Sequence, residues 1–454
     1  MSVLFYLKII VCFAGWSTFL YGGFLLEYFF DVENIHMVPM KYYLLLFVSV
    51  FQIFAGFALA KDYKFSGSIS REVLENYLER SITLMDFANM PKFSTEGDYP
   101  RKELDIEFVR DVGAKFVGRA VYRWGGEDAL NNPEFFSYAK NLIEKLHLVD
   151  EEIIVQGAVF EAVYPTVEKV AIPAWVFEEM SLPVEKRNFS YENMLYENGL
   201  YRNHWGRGGS VPDITRLETK LWFLYLVGSY VKIGVEAIHL GQVKLMGAND
   251  PEMEVWADFI KFLRKFADRH ARRNKIIFDA HTPDGSMLYK GESLLDFNSF
   301  PLRIKEDCLD EPEKMKGILE VGHTDSIYKR SAGCKTPDGW SCASLPYLVE
   351  FDNFGISNHA GKADLNDHFI WGYDEITWLY LQPQEERERW LEYAYEWIKK
   401  TDKNGHLQMP ATRILTLKKS QRGKITVRSV PPQEGISHTL NLQSCIKRIW
   451  KGEK

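Results

Sequence analysis

The sequence has no excess of positive charge: 55 Lys and Arg stand against 62 Asp and Glu, a formal net charge of −7 over 454 residues. That excludes the basic footprint of a nucleic-acid binder. It also lacks low-complexity tracts, and with 46% hydrophobic and 14% aromatic residues it cannot be a disordered tail protein. No internal repeat of roughly 20–50 residues and no Pro/Gly/Ser-rich linker divides it. Missing as well are GxGxxG and GxxxxGK[ST] after a strand, the GxSxG elbow, the HExxH pair and the CxxC pair. These absences remove the usual arguments for a dinucleotide site, a P-loop, a serine hydrolase, and a zinc or thiol-redox site. No cofactor is expected.

Charge is scarcest at the start, where the first 60 residues carry only Lys8, Glu27, Asp31, Glu33 and Lys41. Two uncharged runs lie between them, Ile9 to Leu26 and Tyr42 to Ala60, each long enough to be a membrane-spanning candidate. The second reads as an export signal. Met40-Lys41 supplies a positive start, Tyr42 to Phe57 an apolar stretch, and Ala58-Leu59-Ala60 a small-x-small ending. Residues 1–60 are therefore expected to be an apolar leader cleaved after Ala60, delivering a periplasmic or extracellular protein. The alternative is a pair of helices anchoring the protein to the membrane. Residues 61–454 read as a single, mildly acidic domain carrying Cys308, Cys334, Cys342 and Cys445. These can stay free or pair in an oxidising compartment, with Cys334 and Cys342 the nearest in sequence.

Short apolar runs recur along this body at 115–122, 153–164, 235–246, 275–281, 317–324, 345–353, 368–373 and 406–409. Helical patterns with apolar residues at three- and four-residue steps fall between several of them, at 133–147, 213–231, 252–270 and 385–399. Buried strands alternating with helices predict a parallel sheet, and eight strands predict an α/β protein of the (β/α)8 TIM-barrel type. A long insertion, 165–212, follows the second of these runs. Turn signals at 283–314 and 326–344 make the middle crossovers irregular, replaced by loops or small hairpins.

In such a barrel the chemistry sits at the C-terminal ends of the strands. Glu161, Asp279, Asp352, Asp374 and Glu375 fall there and are the candidate catalytic carboxylates. Asp279 and His281 share one strand face, as do Glu350 and Asp352. Arg119, Trp124, Trp205, His239, Gln242, His281, Trp371 and Trp378 are the candidate substrate contacts. Paired carboxylates with aromatic rings suit glycoside hydrolysis, in which one acid protonates the leaving oxygen and a second carboxylate attacks the anomeric carbon or activates water. The expected partner is a carbohydrate, with an oligo- or polysaccharide as substrate.

Two other classes compete. His239, His281 and His323 with Asp279 and Asp325 would serve a metal-dependent hydrolase if they converged, although each comes from a separate strand and no metal is expected. A glycan-binding protein without turnover would use the same aromatic residues. The segments GAKFVGR (113–119), IHLGQV (238–243), FDAH (278–281) and WGYDEITW (371–378) resemble a group of bacterial proteins similar to (β/α)8-barrel glycoside hydrolases. That resemblance implies a barrel and a carbohydrate context and assigns no residue a role.

Overall fold

The computed structural model describes residues 61–93, 101–353, 369–417 and 424–452. The expected leader, its cleavage point after Ala60 and its membrane-spanning candidates lie outside these residues, and so does His368 at the start of one expected strand. Among the described residues no helix is long and apolar enough to cross a membrane. Asp62–Lys454 forms one unit.

The architecture is mixed α/β. In chain order the principal strands are β1 (Ser81–Leu84), β2 (Phe116–Tyr122), β3 (Ile154–Ala158), β4 (Ala237–His239), β5 (Ile277–Asp279), β6 (Asn298–Pro301), β7 (Tyr347–Glu350), β8 (Gly405–Leu407), β9 (Met409–Thr416) and β10 (Lys424–Arg428). One seven-stranded sheet runs β10-β9-β1-β2-β3-β4-β5, and a three-stranded sheet runs β8-β7-β6. All pairings are parallel except β9 with β10. Gln408 alone separates β8 from β9, so the chain passes straight from one sheet into the other. On the far side, Asp296 N–H donates to Phe278 O at 2.9 Å and Ser299 N–H to Ala280 O at 3.1 Å, linking β5 to β6.

Every residue of β1, β2, β3 and β7 is buried, which is why these strands show no polar alternation. The principal helices are α1 (Arg71–Leu78), α2 (Lys102–Val112), α3 (Phe135–Val149), α4 (Leu217–Lys232), α5 (Glu254–His270), α6 (Glu375–Leu381), α7 (Gln384–Thr401) and α8 (Gln443–Lys451). In α5 the apolar stripe Trp256, Phe259, Ile260, Leu263, Phe266 and Ala267 is buried, while Arg269 and His270 in the last turn complement the helix dipole. α4 is buried almost all round. The segment between β3 and α4 covers its outer side, with Phe189 against Trp222 at 5.0 Å between ring centres. Gly228 makes this possible, since a Cβ there would lie 2.6 Å from the Trp175 ring.

At the strand starts, Phe116, Ile154, Ala237, Ile277 and Leu348 join Phe297 and the α1 residues Val73, Leu74, Tyr77 and Leu78 in one buried cluster. Each large apolar side chain so buried contributes about 1.5–3 kcal/mol, which fastens α1 across these strand ends.

Two expected strands are not strands of these sheets. Only Gly317–Ile318 of the 317–324 run is extended, in a small antiparallel pair with Lys305–Glu306. Around 368–373 only an isolated bridge joins Ile370 and Tyr373. β1 and β6 take their places. With β1 counted, the 165–212 insertion follows the third strand rather than the second, and it holds the short helices Ala174–Glu179 and Tyr191–Met194. The irregular middle crossovers consist of two-residue strands at 288–289, 292–293, 334–335 and 341–342.

Candidate active site

A cavity of about 480 Å³ opens at the C-terminal ends of the strands. Among the described residues four carboxylates line it: Asp86 beyond β1, Glu161 beyond β3, and Asp352 and Asp374 beyond β7. Arg119, Arg123, Gln242, His281 and Asn353 share the lining with Phe93, Tyr122, Trp124, Phe160 and Trp205. Of the expected residues, the cavity gathers Glu161, Asp352, Asp374, Arg119, Trp124, Trp205, Gln242 and His281.

Arg119 reaches it through a bulge in β2. Val117 pairs with Val155 but Val121 with Gly157, so β2 spends four residues where β3 spends two. Arg119 takes φ 56 within this bulge, a left-handed conformation costing about 1–3 kcal/mol. Gly118 beside it has no room for a side chain, since a Cβ would lie 2.4 Å from Gln408 Nε2. Gln156 holds the bulge, accepting from Arg119 N–H at 3.1 Å through Oε1 and donating from Nε2 to Asp279 Oδ1 at 2.6 Å.

Beneath the cavity lies a buried polar network. Glu350 bridges Arg119 and Arg413, the latter through Nη1 to Oε2 at 2.6 Å. Burial opposes its ionisation, but the two guanidinium groups outweigh that and hold Glu350 well below the usual carboxylate range. Asp279 bonds His239 Nδ1 at 2.7 Å, which leaves His239 Nε2 turned toward Arg119 Nη2 at 3.5 Å. His281 Nε2 lies 3.2 Å from the same nitrogen. Burial pulls His239 below its ordinary value and keeps the ring neutral, although Asp279 works the other way. Asp279 and His239 thus sit below the cavity rather than in its lining, orienting Arg119 from behind.

The upper carboxylates differ in how they are held. Glu161 accepts from the backbone N–H of Gln242 at 3.0 Å and from Gln242 Nε2 at 3.1 Å. Asp374 caps α6, accepting from Thr377 N–H at 2.8 Å. Asp352 is 7% exposed and its carboxylate receives no hydrogen bond among the described residues; its backbone N–H donates to Glu375. An aromatic wall faces them. Trp124 packs edge-on against Phe160 and Trp205, both at 5.3 Å, and Trp205 Nε1 is anchored on Glu161 O at 2.9 Å.

Three further expected site residues, besides Asp279 and His239, lie outside the cavity lining. Glu375 is buried away from the cavity and accepts from three backbone N–H groups, those of Leu302, Ile304 and Asp352, at 3.1–3.2 Å. Trp378 is fully buried against Trp390, with Nε1 on Met315 O. Trp371 donates from Nε1 to Lys316 O, over the 305–318 hairpin. The histidines expected of a metal hydrolase do not converge. His239 and His281 touch at 4.8 Å between ring centres, but Asp325 pairs with Arg303, and no group of three potential ligands is found among the described residues. Asp86, Asn89, Tyr122, Phe160 and Asn353 line the cavity without having been singled out in the sequence. Asp86 was findable: it stands two residues beyond the apolar end of β1.

No protein-family model matches the chain, and no curated protein is similar to it in sequence. Similar solved structures are glycoside hydrolases. An acarbose-soaked debranching enzyme of Nostoc punctiforme shares 9% identity over 83% of this chain and 81% of its own, with a TM-score of 0.40. A GH27 β-L-arabinopyranosidase of Geobacillus stearothermophilus shares 12% identity over 73% of each chain, at 0.36. The trehalose-6-phosphate hydrolase of Bacillus licheniformis shares 10% identity over 61% of this chain and 57% of its own, at 0.34. At TM-scores below 0.5 the overlap is too partial to assign the chain to any of them.

Proposed function

We propose that the protein is a glycoside hydrolase acting on an oligo- or polysaccharide, with Glu161 and Asp352 as its working carboxylates. The observation that carries this reading is one cavity in which carboxylates rising from β3 and β7 meet an aromatic wall. The scaffold read here is a closed (β/α)8 barrel. Supporting it are the β5-to-β6 hydrogen bonds, the direct passage from β8 to β9, and the single cluster gathering the starts of β2, β3, β4, β5 and β7. In that ring, with the consecutive β8 and β9 counted as one strand, β3 and β7 stand third and seventh of eight, so Glu161 and Asp352 approach a sugar from opposite sides, as glycoside hydrolysis requires.

Their surroundings suit different roles. Among the described residues no donor occupies the Asp352 carboxylate, whose charge helps to hold the Arg119 guanidinium, so it is open to act as nucleophile or base. Glu161 is served by an amide that fits either protonation state. Gln242 Nε2 donates to the carboxylate; with the amide turned over, its Oε1 accepts from the carboxylic acid. Glu161 is therefore the acid that protonates the leaving oxygen. Trp124 and Trp205 offer faces to the sugar ring, and Arg119, Gln242 and His281 offer donors to its hydroxyls. Export follows from the leader, with Lys61 the expected first residue of the mature chain.

A panel of oligo- and polysaccharides tests the reading. Hydrolysis should appear with at least one member and fall about 10²–10⁴-fold in Glu161→Gln and in Asp352→Asn. Undiminished turnover in both variants would overturn the assignment, and sugar binding with no turnover on any member would leave a glycan-binding protein.

A further inference from the structure

The thiols of Cys334 and Cys342 belong to a small sheet that the proposed chemistry does not use. Cys334–Lys335 and Ser341–Cys342 are antiparallel, and their register puts Cys334 directly opposite Cys342. Residues so opposed have Cα atoms about 4.5–5.5 Å apart, inside the span a disulfide bridges. The two sulfur atoms lie 3.9 Å apart, both cysteines are half-buried, and neither is bonded to the other in this structure.

The surroundings hold the two strands in that register. Thr336-Pro337-Asp338-Gly339 makes the turn between them, with Gly339 at φ 84 and Thr336 N–H on Trp340 O at 2.9 Å. Gly333 allows the close approach, because a Cβ there would lie 2.9 Å from Ala343 O. Asp338 is clamped by Lys275 Nζ at 2.8 Å, and Trp340 Nε1 donates to Ile69 O at 3.1 Å. Lys275 precedes β5 and Ile69 precedes α1, so the hairpin is fastened at the strand starts, away from the cavity.

We infer that Cys334 and Cys342 are a disulfide site, closed by exchange with a small-molecule disulfide such as glutathione disulfide. Burial and the neighbouring Cys342 push the Cys334 thiol up to about 12, so Cys342 attacks first. Its thiolate displaces one glutathione thiolate and forms a mixed disulfide. Cys334, losing its proton, then attacks the Cys342 sulfur and releases the second glutathione. The two protein sulfurs give up two electrons, and the oxidant leaves as two reduced glutathione molecules. Only side-chain rotation is needed to close the gap, and the bond staples the hairpin without touching the cavity.

The native full-length protein, incubated with glutathione disulfide, alkylated and digested, provides the test. The expected product is the peptide pair containing Cys334 and Cys342, lighter by two hydrogen atoms and resistant to alkylation until reduced, with Cys308 and Cys445 still alkylated. Cys334→Ser should instead trap glutathione on Cys342. Recovery of both cysteines alkylated, or of glutathione on either one in the unsubstituted protein, would overturn the proposal.

Discussion

Among the described residues Glu161 takes both of its side-chain hydrogen bonds from one residue, Gln242, whose backbone N–H and side-chain amide reach separate oxygens. The clamp depends on Gly241, which holds φ 62 and presents no side chain to the carboxylate. A Cβ there would lie 1.9 Å from Glu161 Oε2. Gly241→Ala should therefore displace the carboxylate and lower hydrolysis about 10²-fold, the cost of moving a catalytic group by about 1 Å. A turnover number within a few-fold of the unsubstituted protein would show that Glu161 does not need this placement.

The two indoles of the wall should separate kinetically. Trp124 packs in the wall and bonds Tyr164 but holds no part of Glu161, so Trp124→Ala is expected to raise KM about tenfold with little change in kcat. Trp205 also anchors the backbone of Glu161, and Trp205→Ala should lower kcat as well. Trp205→Phe, which keeps a ring and loses the anchor, should recover more of the binding than of the rate. Equal effects of Trp124→Ala and Trp205→Ala on both constants would contradict this division.

Arg119 holds Glu350 from one side and Arg413 holds the same carboxylate from the other. Removing one cation leaves a buried carboxylate half-compensated, so Arg119→Ala should destabilise the fold by about 3 kcal/mol, the low end for a broken buried pair because Arg413 remains. Denaturant unfolding measures it. A change below about 1 kcal/mol would show that Arg413 alone compensates the buried Glu350 charge.

Glu375 makes a pH prediction. Burial raises it to about 7 from an ordinary 4.5, with Arg303 opposing and Asp352 adding to the rise. The folded protein thus keeps this proton to a higher pH than the unfolded chain does. The resulting stability is fully present below pH 4.5 and is lost as pH rises through 7. Glu375→Gln cannot titrate, so its deficit against the unsubstituted protein should be largest near pH 4.5 and shrink toward neutrality. Thermal unfolding across that range should show the gap narrowing; a gap that widens with pH would reverse the sign.

The parallel strands and most of the cavity were legible because long apolar runs end in polar residues: KFVGRAVY leads to Trp124, and LPYLVEF leads to Asp352. The failures have physical causes. β1 is four residues long and follows α1 with only two residues between, so its apolar residues merge with the helical pattern, and Asp86 was lost with it. β6 reads Asn-Ser-Phe-Pro. Its polar side chains are buried because partners exist in space, Asn298 bonding Gly285 O and Ser331 Oγ, which periodicity cannot foresee. The opposite error occurred at 371–378, where a polar cluster after an apolar run looked like a strand end. It is the start of a helix, so Asp374 caps α6 while the adjacent Glu375 turns to the backbone of the 302–304 and 352 segments.

The strand starts carry a separate set of charges: Glu236 between Arg272 and Arg273, and Lys275 between Asp296 and Asp338. None of these residues lines the cavity. Substitutions around the cavity residues and substitutions around these ion pairs share no partner, so their effects on stability should add rather than interfere. The scaffold can therefore be re-tuned for a new substrate on one face, or hardened against heat on the other, as two independent engineering problems.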